Sequence, residues 1–490
     1  MGRLLRYTGH PLVDVGVATI TAFAEKRDPS KVTESDLERF AEFMERVYFG
    51  KRWAGMMSIS FMNSPYTQPK IGQEKKEGHR QAFIYGFRAG PPAGDRRCTF
   101  CGQLTATRAF RQHVPLLTGE EVVNFFPWGQ AGLPVCGICA LAVQAFLLGS
   151  VKCGGRALFV HSDDNVLTLE FARRFLTENR RFLTLGAVTE EEEKAQNLRH
   201  PRTYFVARLR EIEQERQEAE EAERPHSVTV YHLTNYGTNP DVDIYHLPCQ
   251  VLTFVRRVSR APHGYLWQQI ERRAWELAVE KTKSKRTTLA AGDLLQHREE
   301  PGRVRNYLYE DLFDLPRNAA RFVRTYFLRR AYSSRFEEDP RRHYSLQREL
   351  ELVSWTLAEI FLKEVMNMDK YRIETIKQVA DRLAECIQGD NNRKLFRALW
   401  MSSRYGDLRL ALVRESIRRT QSGKEPLLTF DEFVTIFEFG EDSQRPDWNL
   451  ARDLVLIRVI EQLYQNGWFD KHRDLIAEEE VAEPGEAVTD

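Results

Sequence analysis

The chain has 490 residues, 42% of them hydrophobic and 29% charged, with a formal net charge of +1. That length exceeds one ordinary core and predicts two or three domains. The near-cancelling charge excludes a uniformly basic nucleic-acid binder, though not local basic patches.

In chain order, the start "MGRLLRYTGHPLVDV" has no long apolar run of the signal-peptide type. "VTESDLERFAEFMERVYF" reads as a helix. Thr33 is its N-cap, Asp36 sits at capping-box spacing, Val32 and Leu37 form a staple, and Leu37, Phe40, Met44 and Val47 make an apolar stripe. "MMSISF" reads as a short strand, ending at Asn63-Ser64-Pro65 before a polar loop with Lys70, Lys75, Lys76 and Arg80. Further on, Ile138 to Val151 is the longest apolar run. It falls short of the roughly 18 residues that span a bilayer, so it predicts a buried helix and no membrane partner. From Thr189 to Arg224 the chain is charge-dense and reads as a solvated helix or coiled linker. "SVTVYHL" and "DVDIYHL" predict a hairpin. From about Leu346 helical patterns dominate, the first opened by Ser345, and the last residues, "AEEEVAEPGEAVTD", form an acidic disordered tail. The predicted class is α+β. A mixed N-terminal domain (1–344) would carry an inserted zinc-knuckle region (91–155). An all-α C-terminal helical bundle (345–476) and the tail (477–490) would follow.

Four of the seven cysteines fall in two Cys-x-x-Cys pairs, "CTFCGQ" (Cys98, Cys101) and "CGIC" (Cys136, Cys139). Each short turn presents two thiolates to one point, and two turns complete a tetrahedral Zn2+ site. Gly102 and Gly137 relieve the tight backbone of such turns. The separation exceeds the roughly 15–20 residues of common zinc ribbons, so the intervening segment must loop out. A redox reading needs only one pair, at a helix N-terminus after a strand. A zinc-deaminase reading fails, because Val135 intrudes after Pro134 and no His-x-Glu or Cys-x-Glu lies upstream. Four cysteines also leave no open position for a catalytic water, so the Zn2+ would be structural. Cys153 is near enough in sequence to replace one ligand, but otherwise reads as a small buried residue, as do Cys249 and Cys386. The signal-free start and short apolar run predict a cytoplasmic localisation, a reducing setting in which paired cysteines are more often metal ligands or redox centres than disulfides. There is no phosphate loop, nucleophile elbow or His-Glu-x-x-His. "HSDD" (His161 to Asp164) reads as a turn rather than a nuclease centre.

"CTFCGQ" followed by "NFFPWGQAGLPVCGICALAVQAFLLGSVKCGG" resembles the paired-cysteine region of the large subunit of type I (A/B-type) CRISPR interference complexes, the Cascade assemblies. The resemblance covers roughly residues 95 to 165, extends to "YTGHPLVDVGVATI" and "FMNSPY", and is only architectural beyond 190. It implies a non-catalytic protein for antiviral defence, partnered by guide RNA and other CRISPR complex subunits. It further implies recognition of the motif adjacent to double-stranded target DNA (PAM recognition), opening of the duplex, and docking of a helicase-nuclease. Such a task needs amides at base edges and cations on phosphates. Asn63, Tyr66, Gln68, Lys70, Lys75 and Lys76 fit it, as an ordinary surface loop also would. Lys281, Lys283, Lys285 and Arg286 suit a phosphate backbone, or equally a solvated turn. The arginines of "RNAARFVRTYFLRR" alternate with Phe322 and Phe327, which read as core. Family members often end in a helical bundle along the displaced single strand, where Arg393, Lys394, Arg397, Arg418 and Arg419 would fall. The alternative is a stand-alone zinc-containing nuclease or nucleic-acid-modifying enzyme.

Overall fold

A computed structural model describes residues 5–90, 96–120, 129, 131–184, 198–219, 225–237, 240–283, 301–332, 336, 339–438 and 447–476. The chain is a mixed α+β protein dominated by helices, and it divides into two compact units. One comprises Met1–Cys249 with His297–Arg305, the other Gln250–Gln296 with Asn306–Asp490.

The first unit is built around helix α1 (Pro11–Phe23), which is buried from Leu12 through Ala22. A helix apolar on nearly every side must be covered on every side. Helix α5 (Gly137–Ala145), helix α6 (Asn165–Thr184) and strand β4 (Arg156–Ser162) surround it. The α1–α5 crossing is close enough that a Cβ on Gly16 would lie 1.7 Å from the Ala142 carbonyl oxygen. Before α5 come α2 (Glu34–Tyr48), α3 (Ala54–Ser60), α4 (Gln73–His79) and the two-residue strands β1 (Arg108–Ala109) and β2 (Leu133–Pro134). Helix α2 has the expected capping box between Thr33 and Asp36, and its stripe is buried.

The main sheet is fully antiparallel, in the order β3 (Val151–Cys153), β4, β5 (Val228–Thr234), β6 (Asp241–Leu247). Val160 faces Val230, which faces Tyr245, so the expected hairpin forms as β5–β6.

Two expectations for this unit change. "MMSISF" forms α3, not a strand, with Met56, Met57 and Ile59 buried. Asn235 fixes its end, donating from its backbone N to Ile59 O (2.7 Å) and from Nδ2 to Ser60 O (3.0 Å). A short apolar run does not by itself distinguish the two conformations. Within 189–224, residues Pro201–Glu218 form α7, which is no solvated linker. Its first two-thirds bury Tyr204, Phe205, Leu209 and Ile212, with Phe205 stacked 5.4 Å from Phe171 of α6. Arg208 pairs with Glu178 at 3.2 Å along the same contact. Ahead of α7, the backbone N–H groups of Arg199 and His200 both donate to the Gly302 carbonyl, at 2.8 and 3.0 Å. A segment from far along the chain thereby closes this unit.

The described residues of the second unit contain helices and turns but no strand. Its longer helices are α8 (Cys249–Val258), α9 (Gly264–Lys283), α12 (Trp355–Glu364), α13 (Lys370–Gly389), α14 (Arg393–Met401), α15 (Tyr405–Gln421), α16 (Phe430–Phe437) and α17 (Trp448–Gln465). The short α10 (Tyr307–Leu312) and α11 (Ala319–Phe322) fall between α9 and α12. Helix α17 is buried along most of its length and packs on α13. Phe361 of α12 gathers Phe254 (5.4 Å), Phe322 (5.4 Å) and Phe327 (5.6 Å). These contacts hold α8 and α11 with the C-terminal helices, so the division falls at Cys249–Gln250 where the sequence predicts 344–345. The helix expected to open at Ser345 begins at Trp355, with Ser354 as its N-cap. Glu349 holds the preceding turns as a buried ion-pair centre, 2.7 Å from Arg273 Nε and 2.7 Å from Arg329 Nε. Among the described residues no helix is long and apolar enough to cross a membrane.

Candidate metal centre and nucleic-acid loop

The first cysteine pair lies in a tight turn. Cys98 N donates to Gln103 O (2.7 Å), Gly102 N donates to Cys98 O (2.9 Å), and Gly102 has φ +77°. That left-handed backbone suits glycine. The second pair starts α5, with Cys136 as N-cap and Cys139 in the first turn. Between them, a Cβ on Gly137 would lie 2.0 Å from the Gly86 carbonyl oxygen, so only glycine fits. Three hydrogen bonds join the turns: Thr99 N to Pro134 O (2.9 Å), Val135 N to Thr107 O (3.0 Å) and Thr105 Oγ1 to Val135 O (2.8 Å).

The result is one cluster. Cys101 and Cys136 Sγ are 3.5 Å apart, and all four sulfurs lie within 4.8 Å of one another. A tetrahedral metal with bonds of about 2.3 Å requires sulfurs about 3.8 Å apart, so the donor set fits. Cys98, Cys136 and Cys139 are buried and Cys101 is half-buried. Hydrogen bonding with Cys101 drives Cys98 far below the usual thiol range and Cys139 far above it. Four thiols this close compete for negative charge, a conflict that a divalent cation resolves. The α5 N-terminus further favours thiolates. Cys153 is buried in β3 and stands apart from the cluster, while Cys249 is only half-buried.

The stretches that carry the resemblance pack together. Arg6 donates to the Cys101 carbonyl, the His10 ring lies 4.7 Å from Phe100, and Phe61 meets Phe146 at 5.9 Å. His161 is hydrogen-bonded to Asp14 at 3.2 Å. Asp163 accepts from Ser227 N (2.8 Å) and Asp164 pairs with Arg216 (2.9 Å). "HSDD" is therefore a tied-down turn.

In the loop after α3, Asn63 is exposed in a left-handed conformation (φ +62°), and Gln68 Nε2 donates to its Oδ1 at 3.4 Å. Lys70 and Lys75 are exposed and Lys76 is half-buried. Tyr66 departs from expectation: its hydroxyl is buried, and its ring packs edge-on against Tyr48 (5.4 Å), Phe49 (5.0 Å) and His79 (4.7 Å). Its ring is half-buried against the core rather than protruding from the loop.

Lys281 and Lys283 belong to the last turn of α9, with side chains outside the described residues, as are Lys285 and Arg286 altogether. On α14, Arg393 pairs with Asp474, while Lys394 and Arg397 are exposed. Arg418 is engaged by Glu415 (2.7 Å) and Asp390 (3.3 Å), and Arg419 Nε donates to Glu425 O (3.1 Å). Phe322 and Phe327 are core, as expected. Arg329 is 0% exposed and Arg330 donates to Trp400 O (3.4 Å), so both point inward rather than toward a ligand.

Two further clusters escape sequence reasoning. Cys386, Asp390 and Glu415 converge, but Arg418, Lys424 (3.1 Å from Asp390) and Asn392 (3.0 Å from Glu415) already satisfy the carboxylates. His79, Phe83 and His113 stack, with Phe83 and His113 centroids 3.8 Å apart. The i,i+4 spacing of His79 and Phe83 is their one sequence signal. Comparison with protein families, curated proteins and solved structures returns no match for the chain.

Proposed function

We propose that Cys98, Cys101, Cys136 and Cys139 hold a structural Zn2+, and that the chain is the non-catalytic large subunit of a cytoplasmic CRISPR RNA-guided DNA-surveillance complex. The observation that carries the reading is the four-thiol cluster, seated at the N-terminus of a helix buried against α1. Four thiolates fill a tetrahedral coordination sphere and leave no position for a reacting water. The metal therefore contributes folding energy rather than chemistry. The surveillance role rests on the resemblance over residues 95 to 165, together with the packing of its three stretches on one another.

In this reading the loop from Asn63 to Lys76 offers two amides, Asn63 and Gln68, to base edges beside the target. Lys70 and Lys75 meet phosphates, and Tyr66 holds the loop to its core. The basic residues of the C-terminal unit, Lys394 and Arg397 foremost, lie along the displaced strand. A nuclease reading is less well supported, because His161, Asp163 and Asp164 are already engaged by protein groups. Affinity purification of the natively expressed protein tests the proposal. A discrete small RNA with several copies of a repeated partner protein supports it, and a lone protein free of RNA sinks it.

A further inference from the structure

Helix α15 is amphipathic twice over. Its inward side buries Leu408, Leu412 and Glu415. At about 100° per residue, Leu410, Val413 and Ile417 fall within about 60° of one another on the opposite side. These three are 46%, 45% and 52% exposed. Arg409 and Arg414 flank the stripe, each about 40° beyond its edge. Both are exposed, and among the described residues neither has an ion pair. The neighbouring Arg418, by contrast, is held by Glu415 and Asp390. The single carboxylate on this outer side, Asp407, lies in the first turn, before the stripe begins.

We infer that this face is a docking surface for an acidic amphipathic helix of a partner protein. An apolar seam about two turns long, bounded on both sides by unpaired arginines, matches a helix whose apolar seam is bounded by glutamates. A second copy of the same face would set arginine against arginine, which disfavours self-pairing. A bare phosphate backbone would satisfy the arginines but leave the leucine, valine and isoleucine wet. The inference stands independently of the surveillance reading.

Two fluorescein-labelled three-heptad peptides test it against the full-length protein by fluorescence anisotropy. Both carry leucine at the seam; one is flanked by glutamates, the other by lysines. The acidic peptide should bind about tenfold tighter at low salt. Arg409→Glu with Arg414→Glu should reverse that preference, and Ile417→Glu should abolish binding of both peptides. All three substitutions lie on the solvent side, so unchanged circular dichroism and melting should accompany them. Equal affinity for the two peptides, binding indifferent to Ile417→Glu, or no binding overturns the inference. It is equally overturned by a homodimer, or by adsorption to phosphatidylglycerol vesicles, that disappears with Ile417→Glu while the acidic peptide fails to bind.

Discussion

His79 is 4% exposed, and neither ring nitrogen has a hydrogen-bond partner among the described residues. It lies between Tyr66 (4.7 Å), Phe83 (5.1 Å) and His113 (5.3 Å). Glu45, the carboxylate whose charge reaches Tyr66, is taken by Arg80 and by the Tyr85 hydroxyl (2.7 Å). Burial lowers the His79 pKa from 6.5 to about 3, and burial with the neighbouring His79 lowers that of His113 to about 2. Both rings are thus neutral in the folded state wherever pH exceeds those values. In the unfolded chain each takes a proton below about 6.5. Stability is therefore complete above that value and falls as pH drops toward 3. At pH 5 each histidine should cost about 2 kcal/mol (about 1.36 kcal/mol per unit over about 1.5 units), or about 4 kcal/mol together. Since pH 5 lies above both folded values, the figure depends on the unfolded pKa alone. His79→Phe removes one titration without losing a hydrogen bond. Urea unfolding at pH 8 and pH 5 should show the variant losing about 2 kcal/mol less than wild type on acidification. Carboxylates that titrate over the same range cancel in that comparison. An identical pH dependence in the two proteins would refute the reasoning.

The zinc reading predicts about one Zn2+ per chain by mass spectrometry of metals. Chelation or Cys98→Ser should lower the melting temperature and leave the chain prone to aggregation, whereas a redox role would leave folding intact. Gly137→Ala forces a methyl against the Gly86 carbonyl. It should cost about 1–3 kcal/mol and reduce the zinc content together with stability. Glu349→Ala removes the carboxylate that pairs with the fully buried Arg329 and one of the two that pair with Arg273, which keeps Glu276 at 3.3 Å. It should destabilise the second unit by about 3–5 kcal/mol in denaturant, with Glu349→Gln costing less. Lys70→Ala with Lys75→Ala should weaken duplex DNA binding by the assembled complex and flatten its logarithmic salt slope by about 2. An unchanged slope would remove those lysines from the phosphate contacts.

What could be read before any coordinates follows the range over which each signal acts. The capping box at Thr33, the hairpin of β5 and β6, the burial of α5 and the meeting of the two cysteine pairs depend on local spacing, and the chain states them directly. Three other features are set by distant partners. "MMSISF" becomes helical in a setting closed by Asn235, more than 170 residues away. Tyr66 looked like a protruding loop residue because nothing nearby in sequence announces the ring cluster of Tyr48, Phe49 and His79. Arg329 and Arg330 turn inward because Glu349 and the Trp400 carbonyl, which accept their hydrogen bonds, lie on other elements. The division at Cys249 was obscured for the same reason: Phe361, which gathers Phe254 and Phe322, sits some hundred residues from the first of them.

The contact at Gly302 has a temporal meaning. Its carbonyl accepts from Arg199 and His200, and its left-handed backbone (φ +97°) brings it so near that a Cβ would sit 2.8 Å from Tyr204 Cβ. The first unit is thus finished by residues that leave the ribosome only after α8 and α9 of the second have been made. Neither unit is a consecutive length of chain, so the early portion cannot gain these two hydrogen bonds until the next portion has been synthesised. Ending translation at Cys249 would release a unit lacking its last stitch, with two backbone donors exposed.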